Sequence, residues 1–190
     1  MIKKKDTQVI ICASTHSPEE KILINAFEQL NNEKAVLILV PRHPERALKI
    51  LKEMKNSKSE IALFTENKFQ LDFSKRINLI DEIGYLEDLF SLADIAFIGG
   101  TLIPHGGQNF LEAVRYSLPI SSGKSFYNFQ EIAEDLIEMN ILEVGNNAEQ
   151  LKSIWQKQLT LVSEEISKQT TDYLKQREGA SVRTFEYLSL

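Results

Sequence analysis

The sequence is short of cysteine, of net positive charge and of long apolar runs, and each shortage closes off a class of protein. Its 190 residues hold one cysteine, Cys12, so an internal disulfide framework is excluded and the chain fits a reducing compartment. Lys and Arg number 22 against 27 Asp and Glu, a net charge of -5, with a pI of about 5.3. No global field draws nucleic acid or an anionic membrane, which leaves only a local basic pocket open. No apolar run approaches the roughly 20 residues of a membrane span. No signal peptide is expected either, because Met1-Ile2-Lys3-Lys4-Lys5-Asp6 reads as a charged lead-in to the first strand.

Several site chemistries are absent as well. No G-x-G-x-x-G follows the first strand and there is no G-x-x-x-x-G-K-[ST], which argues against a dinucleotide dehydrogenase and a P-loop NTPase. There is no G-x-S-x-G elbow and no His/Cys cluster at zinc spacing, so neither a metal nor a cofactor is expected. A response regulator would need acids after the first strand, where Ser14-Thr15-His16 stands instead.

What is present is ordinary for a globular chain: 43% hydrophobic and 26% charged residues. One domain is the natural reading at this length, and such a domain hides roughly 70% of its unfolded surface. Short Val/Ile-rich runs alternate with helical patterns. Strands are expected at 8–13, 35–40, 60–64, 77–80, 94–98, 119–120 and 141–144. Helices are expected from Ser17-Pro18, with Ser17 as N-cap and Glu19 and Glu20 on the positive dipole end; from Pro44 to about Met54; over 85–92; from Gly107 to about Tyr116; over 129–139; and as one or two long helices in 147–176. Residues 65–76 read as a loop. This alternation implies an α/β fold, a parallel sheet with helices on both faces.

In such a sheet, ligands bind beyond the carboxyl ends of the strands. All three histidines fall in segments at those ends: Ser14-Thr15-His16, Arg42-His43 with Arg46 nearby, and the stretch from Gly99 to Glu112, which contains His105. Four of the eight glycines, Gly99, Gly100, Gly106 and Gly107, lie within nine residues there. Glycines allow positive φ and close approach of backbone to a ligand. A helix starting near Gly107 would add free N–H groups and a positive dipole end, for which phosphate is the natural guest. Asn109 would lie in its first turn, and Glu112, three residues on, could accept two hydrogen bonds from a ribose diol. A plain βα turn with Glu112 as a cap is the alternative. Arg42, His43 and Arg46 form a second anion candidate through the planar guanidinium fork; a solvated helix start is the alternative there.

The segments "ASTH-x-x-EE", "LILVPRHPER", "LADIAFIGGTLIPHGGQNFLEA" and "SFYNFQEIAEDL" together resemble the donor-binding half of the Kdo transferases, which add 3-deoxy-D-manno-octulosonic acid (Kdo) to the lipid A precursor of Gram-negative bacteria. The resemblance covers about residues 8–140. It implies a GT-B glycosyltransferase, a pair of Rossmann-like halves facing across a cleft, of which this chain matches the C-terminal half. The donor would be CMP-Kdo and the acceptor a lipid A precursor. The general base would lie on the N-terminal half, and the whole protein on the cytoplasmic face of the inner membrane. Carried over by position, Gly99-Gly100 to Gly106-Gly107 would cradle the donor phosphate with Asn109 close by, and Glu112 would hold the ribose. Arg42 and His43 would approach the nucleotide or the Kdo carboxylate. Ser14, Thr15 and His16 would line the cleft, with His105 on the loop and Asn128 at the cleft edge. Two departures stand out. Gln108-Asn109-Phe110-Leu111-Glu112-Ala113 replaces a frequent H-N-P-L-E-P, and Lys124 stands where a proline is frequent. The resemblance also sets expectations for the tail: Phe185, Tyr187, Leu188 and Leu190 would fold back onto the domain or stay exposed. Competing readings are a UDP-sugar transferase or epimerase domain and a non-catalytic nucleotide-binding module.

Overall fold

A computed structural model of the chain describes residues 6–161 and 163–188. Seven strands form one parallel sheet: β1 (Gln8–Thr15), β2 (Ala35–Pro41), β3 (Ile61–Leu63), β4 (Ile77–Leu79), β5 (Ile95–Ile98), β6 (Ile120–Ser122) and β7 (Leu142–Val144). Their order is β3-β4-β2-β1-β5-β6-β7. Among the described residues, seven α-helices connect and flank them: α1 (Glu19–Gln29), α2 (Ala47–Glu53), α3 (Leu86–Phe90), α4 (Leu111–Val114), α5 (Gln130–Glu138), α6 (Ala148–Gln158) and α7 (Ser163–Leu188). The α/β architecture expected from the alternating pattern is what the chain adopts.

Side chains along β1 alternate between the two faces of the sheet, as strand geometry requires. Val9, Ile11 and Ala13 join one buried cluster with Phe90, Phe110, Val114, Leu136 and Tyr173, under α3, α4, α5 and α7. Ile10 and Cys12 join the other, with Leu23, Phe27, Ile50, Leu151 and Trp155 from α1, α2 and α6. β1 is therefore buried on both sides, which is why it reads as an unbroken apolar run. Cys12 is fully buried at its centre, and burial pushes its thiol well above the ordinary range. Trp155, also fully buried, donates its indole N–H to Ser121 Oγ at 2.9 Å, giving its polar end a partner inside the core.

Two expectations about helices fail. Ser17 is exposed and caps nothing, and α1 begins after Pro18 without a side-chain cap. The helix after the glycine stretch is only Leu111–Val114, so it brings little dipole to the site. The long C-terminal pattern divides into α6 and α7. The expectation for Phe185, Tyr187, Leu188 and Leu190 lies outside the residues whose side chains are described.

The topology fixes where a ligand belongs. From β1 the chain builds outward through β2, and later crosses back to lay β5 against the other side of β1. The connections leave in opposite directions at the carboxyl ends of β1 and β5, the position where open sheets make their binding crevice.

Candidate donor-nucleotide site

β1 ends irregularly. Its register with β2 shifts between Ala13 and Thr15, and Ser14 sits in the shift with φ +55. That kink turns Ser14 toward the mouth of the sheet and Thr15 into the core. Thr15 is fully buried and donates its hydroxyl to Glu20 Oε1 at 3.2 Å, so it does not line the cleft as expected. Arg46 leaves the anion cluster for the same reason. It grips Glu20 with both terminal nitrogens, at 2.9 and 3.3 Å, and Glu20 is 3% exposed.

Beyond β5 the glycine stretch folds back on the protein itself. A Cβ on Gly99 would stand 2.4 Å from Ser14 O, so this glycine lets two strand ends touch. Each glycine amide in the stretch has an internal acceptor. Gly99 donates to Ala13 O (2.8 Å), Gly100 to Glu19 Oε2 (2.7 Å), Gly106 to Ser125 Oγ (3.2 Å) and Gly107 to Gly100 O (2.9 Å). Thr101 and Leu102 add their amides to Glu19 Oε1 at 3.0 and 2.9 Å. The expectation that the glycine amides cradle a phosphate is therefore corrected, because they are already satisfied. The next amides differ. Gln108, Asn109 and Phe110 donate to no other described residue, while Leu111 is capped by Asn109 Oδ1 at 3.1 Å.

Two of these residues, Gln108 and Asn109, border a cavity of about 260 Å³. Ser14, Arg42, Gln108, Asn109 and Glu112 supply its polar wall, and Ala13, Ile98, Leu86 and Phe129 its apolar one. Four residues picked out in the sequence thus converge here: Ser14, Arg42, Asn109 and Glu112. Burial pushes the Glu112 carboxyl above the ordinary glutamate range, with Arg42 and Arg115 pulling it back and Glu87 adding to the rise. An acid beside a guanidinium in a half-buried pocket can accept from a diol while the cation faces a phosphate.

The histidines form a rim beside the cavity. The rings of His16 and His105 lie 4.2 Å apart, and those of His16 and His43 lie 6.1 Å apart. His16 is held below the ordinary histidine range, mainly by burial and then by His105, and its Nδ1 is buried without a partner among the described residues. His43 is exposed and leans on Glu45 at 3.4 Å. Asn128 does not reach the cavity. It sits in the short 3-10 turn before α5 and donates to His105 O at 3.3 Å, bracing the loop from outside. No group of three or more His, Cys, Asp or Glu able to hold a metal ion occurs among the described residues. A larger cavity of about 770 Å³ lies between Asp94, Pro119 and the start of α7, on the side away from these ends, and none of the residues above lines it.

Three contributors were missed in the sequence. Leu86 and Phe129 carried no polar signal. Glu19 looked like a helix-dipole acid, although two adjacent acids opening an otherwise apolar helix face could have marked a buried role.

No family model matches the chain. It is 35% identical over 152 residues to the 3-deoxy-D-manno-octulosonic acid transferase of Haemophilus influenzae, covering 78% of this chain and 35% of that protein. The crystal structure of the C-terminal CMP-Kdo binding domain of WaaA from Acinetobacter baumannii superposes with a TM-score of 0.82 at 31% identity, over 90% of each chain. The chain belongs to the Kdo transferase family. Within that family it matches the C-terminal domain and spans less than half the length of the curated transferases that resemble it. A Kdo transferase domain of this kind is one Rossmann-like half of the two-domain GT-B arrangement. The UDP-forming trehalose-phosphate synthase of Burkholderia xenovorans contains a half of the same fold, superposing at a TM-score of 0.61 and 19% identity over 97% of this chain and 44% of that one. Gln108 and Phe110, where the Kdo transferase pattern often has His and Pro, are both accommodated. Gln108 lines the cavity, and Phe110 is fully buried against Phe126 and Phe129.

Proposed function

We propose that this chain is the donor-binding domain of a Kdo transferase and receives CMP-Kdo in the cavity between β1 and β5. The observation that carries the reading is the convergence of Arg42, Asn109, Glu112 and Ser14 on one cavity. It lies in a domain 31% identical to one whose solved structure is described as CMP-Kdo binding. In this reading Glu112 accepts the ribose hydroxyls, and Arg42 with the amides of Gln108 and Asn109 faces the phosphate. The histidine rim stands where the Kdo carboxylate arrives.

The reaction of the whole protein follows from the donor's chemistry. A hydroxyl of the lipid A precursor attacks the anomeric carbon of Kdo, and CMP departs through an oxocarbenium-like transition state. Charge grows on the leaving phosphate, so a guanidinium and free amides placed there bind the transition state more tightly than the ground state. The general base and the acceptor surface belong to the N-terminal half, and general-base help is typically worth about 10²–10⁴-fold. The 190-residue chain is therefore expected to bind donor without transferring sugar. We place the full protein on the cytoplasmic face of the inner membrane, where its acceptor is. Among the described residues no helix is long and apolar enough to cross a membrane.

Calorimetric titration with CMP and with UMP tests the reading. CMP binding with UMP much weaker is the expected result. Equal affinity would favour the UDP-sugar alternative, and no affinity for either would remove the donor site.

A further inference from the structure

Glu19 is a buried acid that the donor-site reading leaves without a task. It is 0% exposed, and no Lys or Arg pairs with it among the described residues. Its partners are four backbone N–H groups: His16 (2.9 Å) and Gly100 (2.7 Å) on Oε2, Thr101 (3.0 Å) and Leu102 (2.9 Å) on Oε1. A buried carboxylate without a counter-ion is costly, and several amide donors are the means of keeping it charged. The segments it joins are the ones that build the site. One oxygen, Oε2, ties the end of β1 to the glycine stretch. Beyond that junction the rings of His16 and His105 meet at 4.2 Å, and Gly107 closes back onto Gly100 O at 2.9 Å. The chain then delivers the free amides of Gln108, Asn109 and Phe110. Adjacent Glu20 is equally buried but faces Arg46 and Thr15 and touches none of this.

We propose that Glu19 is a positioning residue, an internal anion that fills the amide nest of Gly100, Thr101 and Leu102 and thereby holds the glycine stretch in the shape that receives a nucleoside monophosphate. The proposal rests on the donor-site reading for the ligand's identity but not for the clamp itself. It has a chemical corollary: the nest is shut to the donor phosphate for as long as Glu19 is ionised, and the phosphate is confined to the amides that follow. Burial raises the Glu19 carboxyl above its ordinary value of 4.5 while the four amides oppose the rise. The titratable groups around it are the Cys12 thiol on β1, which feels its charge, His16 and Glu20 beside it in sequence, and His105 on the loop.

The test has two arms on the 190-residue protein. In the first, the amide proton shifts of Gly100, Thr101 and Leu102 are followed by NMR against pH. The expected result is one shared midpoint above 4.5, and amides that titrate separately or not at all overturn the clamp. In the second, CMP affinity is measured for Glu19→Ala with and without acetate, which supplies the atoms the substitution deletes. The expected result is a loss of about tenfold or more, largely restored by acetate, with acetate leaving the wild type and Glu20→Ala unaffected. A folded Glu19→Ala that binds CMP within about twofold of wild type overturns the proposal. If Glu19→Ala does not fold, the first arm decides. If the wild type does not bind CMP, the donor-site reading fails while the shared amide midpoint still judges the clamp.

Discussion

The nine residues from Gly99 to Gly107 and the five from Gln108 to Glu112 are neighbours in sequence and differ in how their backbone is used. In the first segment the glycine amides are bonded within the protein, to Ala13, Glu19, Ser125 and Gly100. In the second, three consecutive amides are unclaimed among the described residues, and Gln108, Asn109 and Glu112 line a cavity. Glycine content alone therefore does not mark the ligand contact. The glycine-rich part is a frame, built where backbone must touch backbone, and in the proposed donor-site reading the part with ordinary residues is the receptor. The same division separates the acids. Glu19 and Glu20 are buried and occupied, whereas Glu112 is half-buried and lines the cavity, with Arg42, Arg115 and Glu87 acting on it through their charge.

Substitutions can break this contrast at graded cost. The largest effect is expected from Gly99→Ala, whose new Cβ would stand 2.4 Å from Ser14 O and 2.7 Å from Thr15 Cα, both backbone atoms. Overpacking against backbone should cost about 3 kcal/mol, read as a drop in denaturant midpoint, with CMP binding lost as the strand ends part. Glu20→Ala comes next. It strands the Arg46 guanidinium, one-fifth exposed, and the Thr15 hydroxyl. A loss of about 2 kcal/mol is expected, below the range for fully buried pairs because Arg46 reaches some solvent. Its CMP affinity should stay near wild type, and a large loss of binding would blur the line between frame and receptor.

Glu112→Ala reverses that profile. Stability should hardly move, while CMP binding weakens by about 1–3 kcal/mol, as for a charge-assisted hydrogen bond. The same carboxyl sets a pH dependence. Its folded-state value is raised above 4.5, so the folded chain holds this proton more tightly than the unfolded chain. The group's own contribution to stability is full below 4.5 and is lost as pH rises through the raised value. Binding runs the opposite way, because the ribose needs the ionised acceptor. CMP affinity measured by calorimetry should therefore fall as pH drops through that raised value, and should fall less in Glu112→Gln. The smallest effect is expected from Arg42→Lys, because the side chain is exposed. A loss of about 1 kcal/mol in CMP binding would show that the planar fork matters, and an unchanged affinity that only the charge does.

Much of this frame is legible before any coordinates. The strands of 8–13 and 35–40 announce themselves as buried runs, and the three histidines fall at carboxyl ends because the βαβ rule leaves them nowhere else. What the sequence hides is which polar groups already have partners. The dipole reading of Glu19 and the cradle reading of the glycines are locally sound. The first holds but is incomplete, since Glu19 does open α1, and the second fails, for one reason: the loop after β5 lies across the start of α1, 81 residues away in the chain. Thr15 and Ser14 likewise look equivalent until a register shift sends one inward. The short α4 misleads because Phe110 and Leu111 fit a helical pattern, while Phe110 is held by Phe126 and Phe129 before the helix begins. The resemblance to Kdo transferases pointed to segments of which Ser14, Arg42, Asn109 and Glu112 meet at one cavity. The geometry then sorted those segments into residues that face the cavity and residues that hold it.

Cys12 turns the centre of the sheet into a built-in chemical clock. Its thiol lies on the strand flanked by β2 and β5, fully buried and with ionisation suppressed, so an alkylating reagent finds neither access nor thiolate in the native protein. Labelling requires β1 to come free of both neighbours, which amounts to opening the whole domain. Because the chain has one cysteine, each adduct records one such opening, and the labelling rate of an unmodified sample reads out its global opening without an engineered probe.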